Sequence, residues 1–191
     1  DAWSEAASSF VSLTGAFQDE QTGPQFGDML DSFDNAAAFR ANLWNGRHPD
    51  GYSTMNLMDM YEFLELYVAE RVPEFPEAIR GVVESEVSTM FGFPDTDLSL
   101  AENRLADEFG DDYEAALAFY EDEDPVRLVL GNGLGTDEPG APGGYDELRL
   151  ESWPAAEAEA TTWYLGDDGV LDDGEATGED SVSFTYDPDA G

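Results

Sequence analysis

The chain has 191 residues, of which 44 are Asp or Glu and seven are basic, giving a formal charge of −37; all seven basic residues are arginine, and cysteine is absent. That balance argues against partners built on phosphate, whether nucleic acid or anionic lipid, because a phosphate backbone needs a basic patch; the missing cysteines exclude disulfides and thiolate metal centres. A hydrophobic content of 41%, with 12 Phe, 8 Tyr and 4 Trp, supports a folded core, and at this length such a core buries roughly 70% of the unfolded surface.

Charge of this size strains a compact state through self-repulsion unless salt screens it. Near molar salt the Debye length is ~3 Å, against ~10 Å at 0.1 M, so neighbouring surface carboxylates scarcely interact there. The composition is that of a protein working in very high salt. No apolar run approaches the ~20 residues of a membrane span, and no signal peptide opens the chain. Compartment stays open.

In chain order, Phe10 to Asp19 reads as a short buried strand that breaks at Gly15 and delivers Asp19 into a loop. Ser32 to Leu43 has alanine-rich helical character, while Phe39 to Trp44 alternatively forms a strand. The glycine-flanked loop Asn45-Gly46-Arg47-His48-Pro49-Asp50-Gly51 follows, carrying the only histidine. Thr54 to Arg71 repeats Leu57, Met60, Tyr61, Leu64, Tyr67 and Val68 at helical spacing and stops at Val72-Pro73. Further helices are expected over Pro76 to Phe91, over Leu98 to Phe109 with a Ser99-x-x-Glu102 capping box and Gly110 at its end, and over Asp111 to Glu121.

At Asp124-Pro125 the pattern changes to short strands: Val126 to Leu130, Leu148 to Leu150, Thr161 to Leu165, Val170-Leu171 and Ser181 to Tyr186, with a glycine and proline loop over residues 131–144. Repeated short strands with turn signals suggest an antiparallel sandwich, with Trp153 and Trp163 in its core. The expected fold is therefore α+β in three parts: residues 1–73 with the acid and histidine loops and a closing helix, 74–124 a helical block, and 125–191 an antiparallel β-sandwich.

The pair with chemical potential is Asp19 and His48. A carboxylate that fixes an imidazole's tautomer lets that imidazole take a proton from a serine hydroxyl. Acid before base in chain order, with the serine earlier still, is the α/β-hydrolase arrangement. The chain contains no G-x-S-x-G, so the nucleophile is expected on an upstream segment, and the N-terminus reads as internal to a domain. Glu20 is the rival acid; Asp50 stands too near His48 to approach from a separate strand end. Asp28, Asp31 and Asp34, and Asp167, Asp168, Asp172 and Asp173, have spacings a hard cation could use, but neither set matches the EF-hand loop. No metal or cofactor is assigned. Gly131-Asn132-Gly133-Leu134-Gly135 follows a strand yet departs from G-x-G-x-x-G.

The segments Gly15 to Gly23, Asn45 to Asp50 and Phe63 to Val68, followed by Val126 to Gly133, Pro139 to Pro142, Ser152-Trp153-Pro154 and Thr162 to Leu165 with Gly169 and Leu171, resemble in order the X-Pro dipeptidyl-peptidase and cocaine-esterase family of α/β-hydrolases. The resemblance spans nearly the whole chain. It implies a serine hydrolase acting on acyl esters or on the bond after a penultimate proline, with Asp19 as catalytic acid, His48 as base and a C-terminal jelly roll. The implied partners are a small ester or peptide substrate and the segment bearing the nucleophile. Three departures stand out: the nucleophile elbow and the oxyanion-hole donors are absent, so this chain alone is expected to lack full activity; Phe17 occupies a tryptophan position; and the helices after the histidine are more numerous than the family's. The alternative from another class is a non-catalytic binding module carrying a β-sandwich.

Overall fold

A computed structural model describes residues 10–17, 30, 33, 36–165, 170–175, 183, 185 and 186. The fold is mixed α/β: a four-stranded mixed sheet with helices, and a separate two-stranded antiparallel sheet. Strands β1 (Phe10–Ala16), β2 (Ala38–Trp44) and β3 (Val126–Leu130) are parallel neighbours, and β4 (Asp146–Leu150) pairs antiparallel with β3. Between β2 and β3 the chain makes a long crossover through α1 (Thr54–Leu64), α2 (Glu77–Met90), α3 (Arg104–Phe109) and α4 (Tyr113–Asp122).

The sheet's two faces differ in chemistry. Strand residues alternate sides, and the register lines up Leu13, Ala41, Val126 and Leu150 on one face, where they pack with Leu30, Leu43, Phe39 and Trp153. The opposite face carries a polar row across all four strands, Thr14, Asn42, Arg127 and Arg149, which gives way at the C-terminal ends of β1 to β3 to Ala16, Trp44 and Val129. Met55 of α1 packs on that apolar end. Asp59, one turn further, meets the polar row: Arg127 Nη1 donates to Asp59 Oδ2 at 3.0 Å, Asn42 Oδ1 at 3.0 Å, Asn56 Oδ1 at 3.2 Å and the Met55 carbonyl at 3.2 Å. One guanidinium thereby ties α1 to β2 and β3. Burial raises the Asp59 carboxyl above its usual range, against the pull of Arg127 and Arg149.

A second arginine ties the helices together. Arg104 of α3 donates to Glu62 of α1 at 2.7 Å and to Glu123, just past α4, at 2.6 Å. Glu62 is buried, which raises its carboxyl, and Arg104 opposes that rise. Around this triad Leu66, Leu105, Ala116 and Tyr120 form the helical core. The remaining arginines are also engaged: Arg47, Arg71, Arg80 and Arg149 form ion pairs, and Arg40 lies 4.4 Å from the centroid of the Tyr120 ring. Every arginine of the protein is thus used to hold its own fold.

Several expectations are corrected. β1 is an edge strand whose residues are mostly half-exposed or exposed, with only Ala16 buried, rather than a buried strand. Of the two readings of the stretch before the histidine loop, the strand over Phe39 to Trp44 holds: Ala38–Trp44 is β2, each of its residues pairing with β1. The helix begun at Thr54 passes at Glu65 into a π-helical turn, Glu65–Ala69, closed by left-handed Glu70 at φ 54°, where the backbone N–H donates back to the Glu65 carbonyl.

Leu98 to Glu102 is not helical, and α3 starts only at Arg104. The capping-box reading fails because this segment spends its backbone on α2. Arg80 takes the carbonyls of Leu100 and Ala101 at 3.2 and 2.9 Å, Glu84 takes the Leu100 N–H at 2.8 Å, and Ser99 turns its hydroxyl to Asp97.

The boundary expected at residue 124 is not where the sheet ends. β3 and β4 extend the sheet that carries β1 and β2, and Trp153 packs on that sheet's core, 5.6 Å from Phe17 between ring centroids. The chain divides into compact units after Ala156. The second unit, Glu157–Gly191, contains the antiparallel pair β5 (Tyr164–Leu165) and β6 (Leu171–Asp172), with Trp163 exposed. Most of the strand expected over residues 181–186 lies outside the described residues.

Candidate functional site

The parallel pairing of β1 with β2, in register from Phe10↔Ala38 to Ala16↔Trp44, sends both strands out at the same edge of the sheet. Open α/β sheets place their ligands beyond this edge, at the strands' carboxyl ends. The Phe17 N–H donates to the Trp44 carbonyl at 2.9 Å, so the two chains stay together one residue past the ladder. Asp19, two positions further along, and its rival Glu20 lie outside the described residues, as do Asp28, Asp31, Asp34, Asp167 and Asp168.

His48 opens a single 3₁₀ turn, His48–Tyr52, four residues beyond the end of β2. Pro49 at its start suits the helical φ without needing an N–H. His48 is exposed, just beyond the carboxyl end of β2. The turn is anchored beneath it by Asp50, whose side chain is 2% exposed. Asp50 Oδ2 accepts the Arg47 backbone N–H at 2.9 Å and the Asn132 side-chain amide at 2.7 Å. Arg47 Nη2 stands 3.4 Å from the other oxygen.

The Asp50 main chain is held as firmly as its carboxylate. Its N–H donates to the Arg47 carbonyl at 3.1 Å, and its carbonyl accepts from the Ser53 hydroxyl at 2.6 Å, the Ser53 N–H at 3.1 Å and Asn56 Nδ2 at 2.9 Å. Asn56 Oδ1 in turn accepts from Arg127, so the turn, α1 and β3 share one hydrogen-bonded chain. Gly46 is required here: a Cβ at that position would fall 2.2 Å from Asn132 Nδ2, 2.7 Å from Asp50 Oδ2 and 2.8 Å from Trp44 Cδ1.

Asp50 is therefore a structural acid. With one oxygen taken by Arg47 and Asn132, its role is to hold the backbone around His48. Sequence reasoning passed over Asn132 and Asn56. The local signals that could have found them are an asparagine between two glycines just after a strand, and Ser53-x-x-Asn56 at a helix start.

Among the described residues no group of three or more His, Asp or Glu side chains is arranged to hold a metal ion. Asp172, one of the candidate ligands, turns its carboxylate to the Gly174 N–H at 3.0 Å, and this hydrogen bond, helped by Asp173, lowers its carboxyl below the usual value. Likewise, no described helix is long and apolar enough to cross a membrane. Compared with known proteins, the chain matches no family model, no curated protein and no solved structure.

Proposed function

We propose that this chain is the C-terminal part of a serine hydrolase and supplies the acid, Asp19, and the base, His48, of a Ser-His-Asp triad whose nucleophile is carried by an upstream segment. The reading is supported by one observation above all: β1 and β2 are adjacent and parallel, so the loops that follow them, bearing Asp19 and His48 in that order, leave the sheet at the same edge. In such a triad the carboxylate holds the imidazole N–H, the other ring nitrogen takes the serine proton as the hydroxyl attacks the carbonyl, and the imidazolium then protonates the leaving group. The substrate class is an acyl ester or an X-Pro peptide, following the family resemblance.

The test uses the hydrolase that contains this chain together with its nucleophile. His48→Ala should abolish nearly all turnover of ester and X-Pro substrates while leaving the circular dichroism unchanged. Asp19→Asn should lower kcat by about 10⁴ through the wrong tautomer, judging from the template triad. A His48→Ala protein with undiminished turnover would end the proposal.

A further inference from the structure

The glycine-dense loop after β3 has no part in the chemistry proposed so far, yet it is built with unusual constraint. It closes on itself through Gly133 N–H and Gly135 N–H donating to the Gly143 carbonyl at 2.9 and 3.0 Å, and through Gly140 N–H donating to the Gly133 carbonyl at 2.8 Å. The strands of the loop lie so close that a Cβ on Gly135 would stand 2.1 Å from the Gly144 carbonyl oxygen. Inside this clasp the Asn132 side chain is used at both ends: Oδ1 accepts the Gly143 N–H at 2.9 Å, and Nδ2 donates to Asp50 at 2.7 Å.

His48 is carried by a turn that is anchored through Asp50. The Arg47 side chain adds little to that anchor, being 57% exposed and 3.4 Å from Asp50, and such pairs are weak. The contact that reaches the turn from the loop after β3 is the charge-assisted bond from Asn132 to the buried carboxylate. A general base loses its effect when displaced by about 1 Å. From this geometry we infer that Asn132, acting through Asp50, is a positioning residue for His48, and that the residue 131–144 loop is the clasp that presents it. The inference rests on the proposed role of His48.

The experiment uses the fact that the chain has a single histidine, whose ring gives one Cε1–H resonance. Wild type, Asn132→Ala, Asp50→Ala and the double variant are compared in molar salt by that resonance and by hydrogen exchange of the Arg47 amide. Asn132→Ala should speed exchange at Arg47 about tenfold, the loss of one hydrogen bond to a charged group, and should broaden or shift the histidine signal. The double variant should exchange no faster than Asp50→Ala alone, because both act through one bond. Asn132→Asp keeps the acceptor for Gly143 but sets two carboxylates together. Its exchange should be at least as fast as that of Asn132→Ala, because the amide donor to Asp50 is gone.

In the hydrolase, Asn132→Ala should lower kcat by about 10- to 100-fold with KM unchanged. Unchanged exchange and an unchanged histidine signal would overturn the clasp. Altered exchange with full turnover, in an enzyme that His48→Ala inactivates, would overturn the positioning role and leave the hydrolase reading standing. If His48→Ala is itself fully active, the positioning role falls with the function on which it rests.

Discussion

The same chemical change at two glycines should have opposite effects, and the structure gives the size of each. Gly46→Ala drives a methyl group to 2.2 Å from Asn132 Nδ2 and 2.7 Å from Asp50 Oδ2, with Trp44 at 2.8 Å closing the third side. None of these neighbours is a loose side-chain end: Trp44 is 2% exposed and Asp50 is buried. The methyl must push the amide off the carboxylate. Overpacking costs about 1–3 kcal/mol and loss of a hydrogen bond to a charged group about 1.5–3 kcal/mol, together about 2.5–6 kcal/mol. For a unit of this size that lowers Tm by roughly 5–24 °C.

Gly81, in contrast, is an exposed position inside α2, and an alanine Cβ there would meet nothing within 4 Å. Alanine removes unfolded-state freedom at such a site and should stabilise by about 0.5–1 kcal/mol. Calorimetry of both variants in molar salt is the assay. A Gly46→Ala protein as stable as wild type would refute the packing described around Asp50, and a Gly81→Ala protein that loses several degrees would refute the helical assignment there.

Four further outcomes are expected. Arg104→Met strands the buried Glu62 carboxylate and frees Glu123; because Arg104 is partly exposed, the loss should sit at or below the low end of the about 3–5 kcal/mol range for breaking buried pairs, read by urea denaturation, and an unchanged midpoint would contradict the triad. Burial raises Asp59 and Glu62 above their unfolded values, so the native state holds more protons than the unfolded chain just above those values, and their contribution to stability falls as pH rises through that window; at fixed molar salt, Asp59→Asn with Glu62→Gln should flatten this part of the stability–pH curve, and an unaltered slope would contradict it. Tyr67 is raised from 10.0 to about 12, by burial first and by Glu121 second, which places a loss of stability between those values at alkaline pH; Tyr67→Phe should reduce it. With a charge of −37, helix content should form cooperatively near molar salt and fall in dilute buffer, and equal melting temperatures at both extremes would refute that dependence.

The elements that periodicity reveals were largely legible. Val126, Leu128 and Leu130 recurring at every second residue mark a strand, and the stripe from Leu57 to Val68 marks a helix. A period of two, however, reports a strand without its partner, so nothing local in Val126 to Leu130 said that it joins β2 in parallel across more than eighty residues. The break at residue 124 looked like a domain boundary for that reason. Leu98 to Glu102 misled differently: its capping signature was real, but Arg80 and Glu84 offered its backbone better partners. At the site, His48 was conspicuous as the lone histidine in a glycine-flanked loop. Asn132 was not, because its meaning lies in Asp50, which only the fold brings to 2.7 Å.

The central claim, that Asp19 and His48 act as one acid–base pair, is tested most directly by titrating the single histidine by NMR in molar salt, where the remaining acids are screened, in wild type and Asp19→Asn. A carboxylate within about 4–6 Å stabilises the imidazolium and raises its pKa by about 1–3 units, so the account predicts that Asp19→Asn lowers the His48 pKa by about one unit or more. Superimposable titration curves for the two proteins would contradict it.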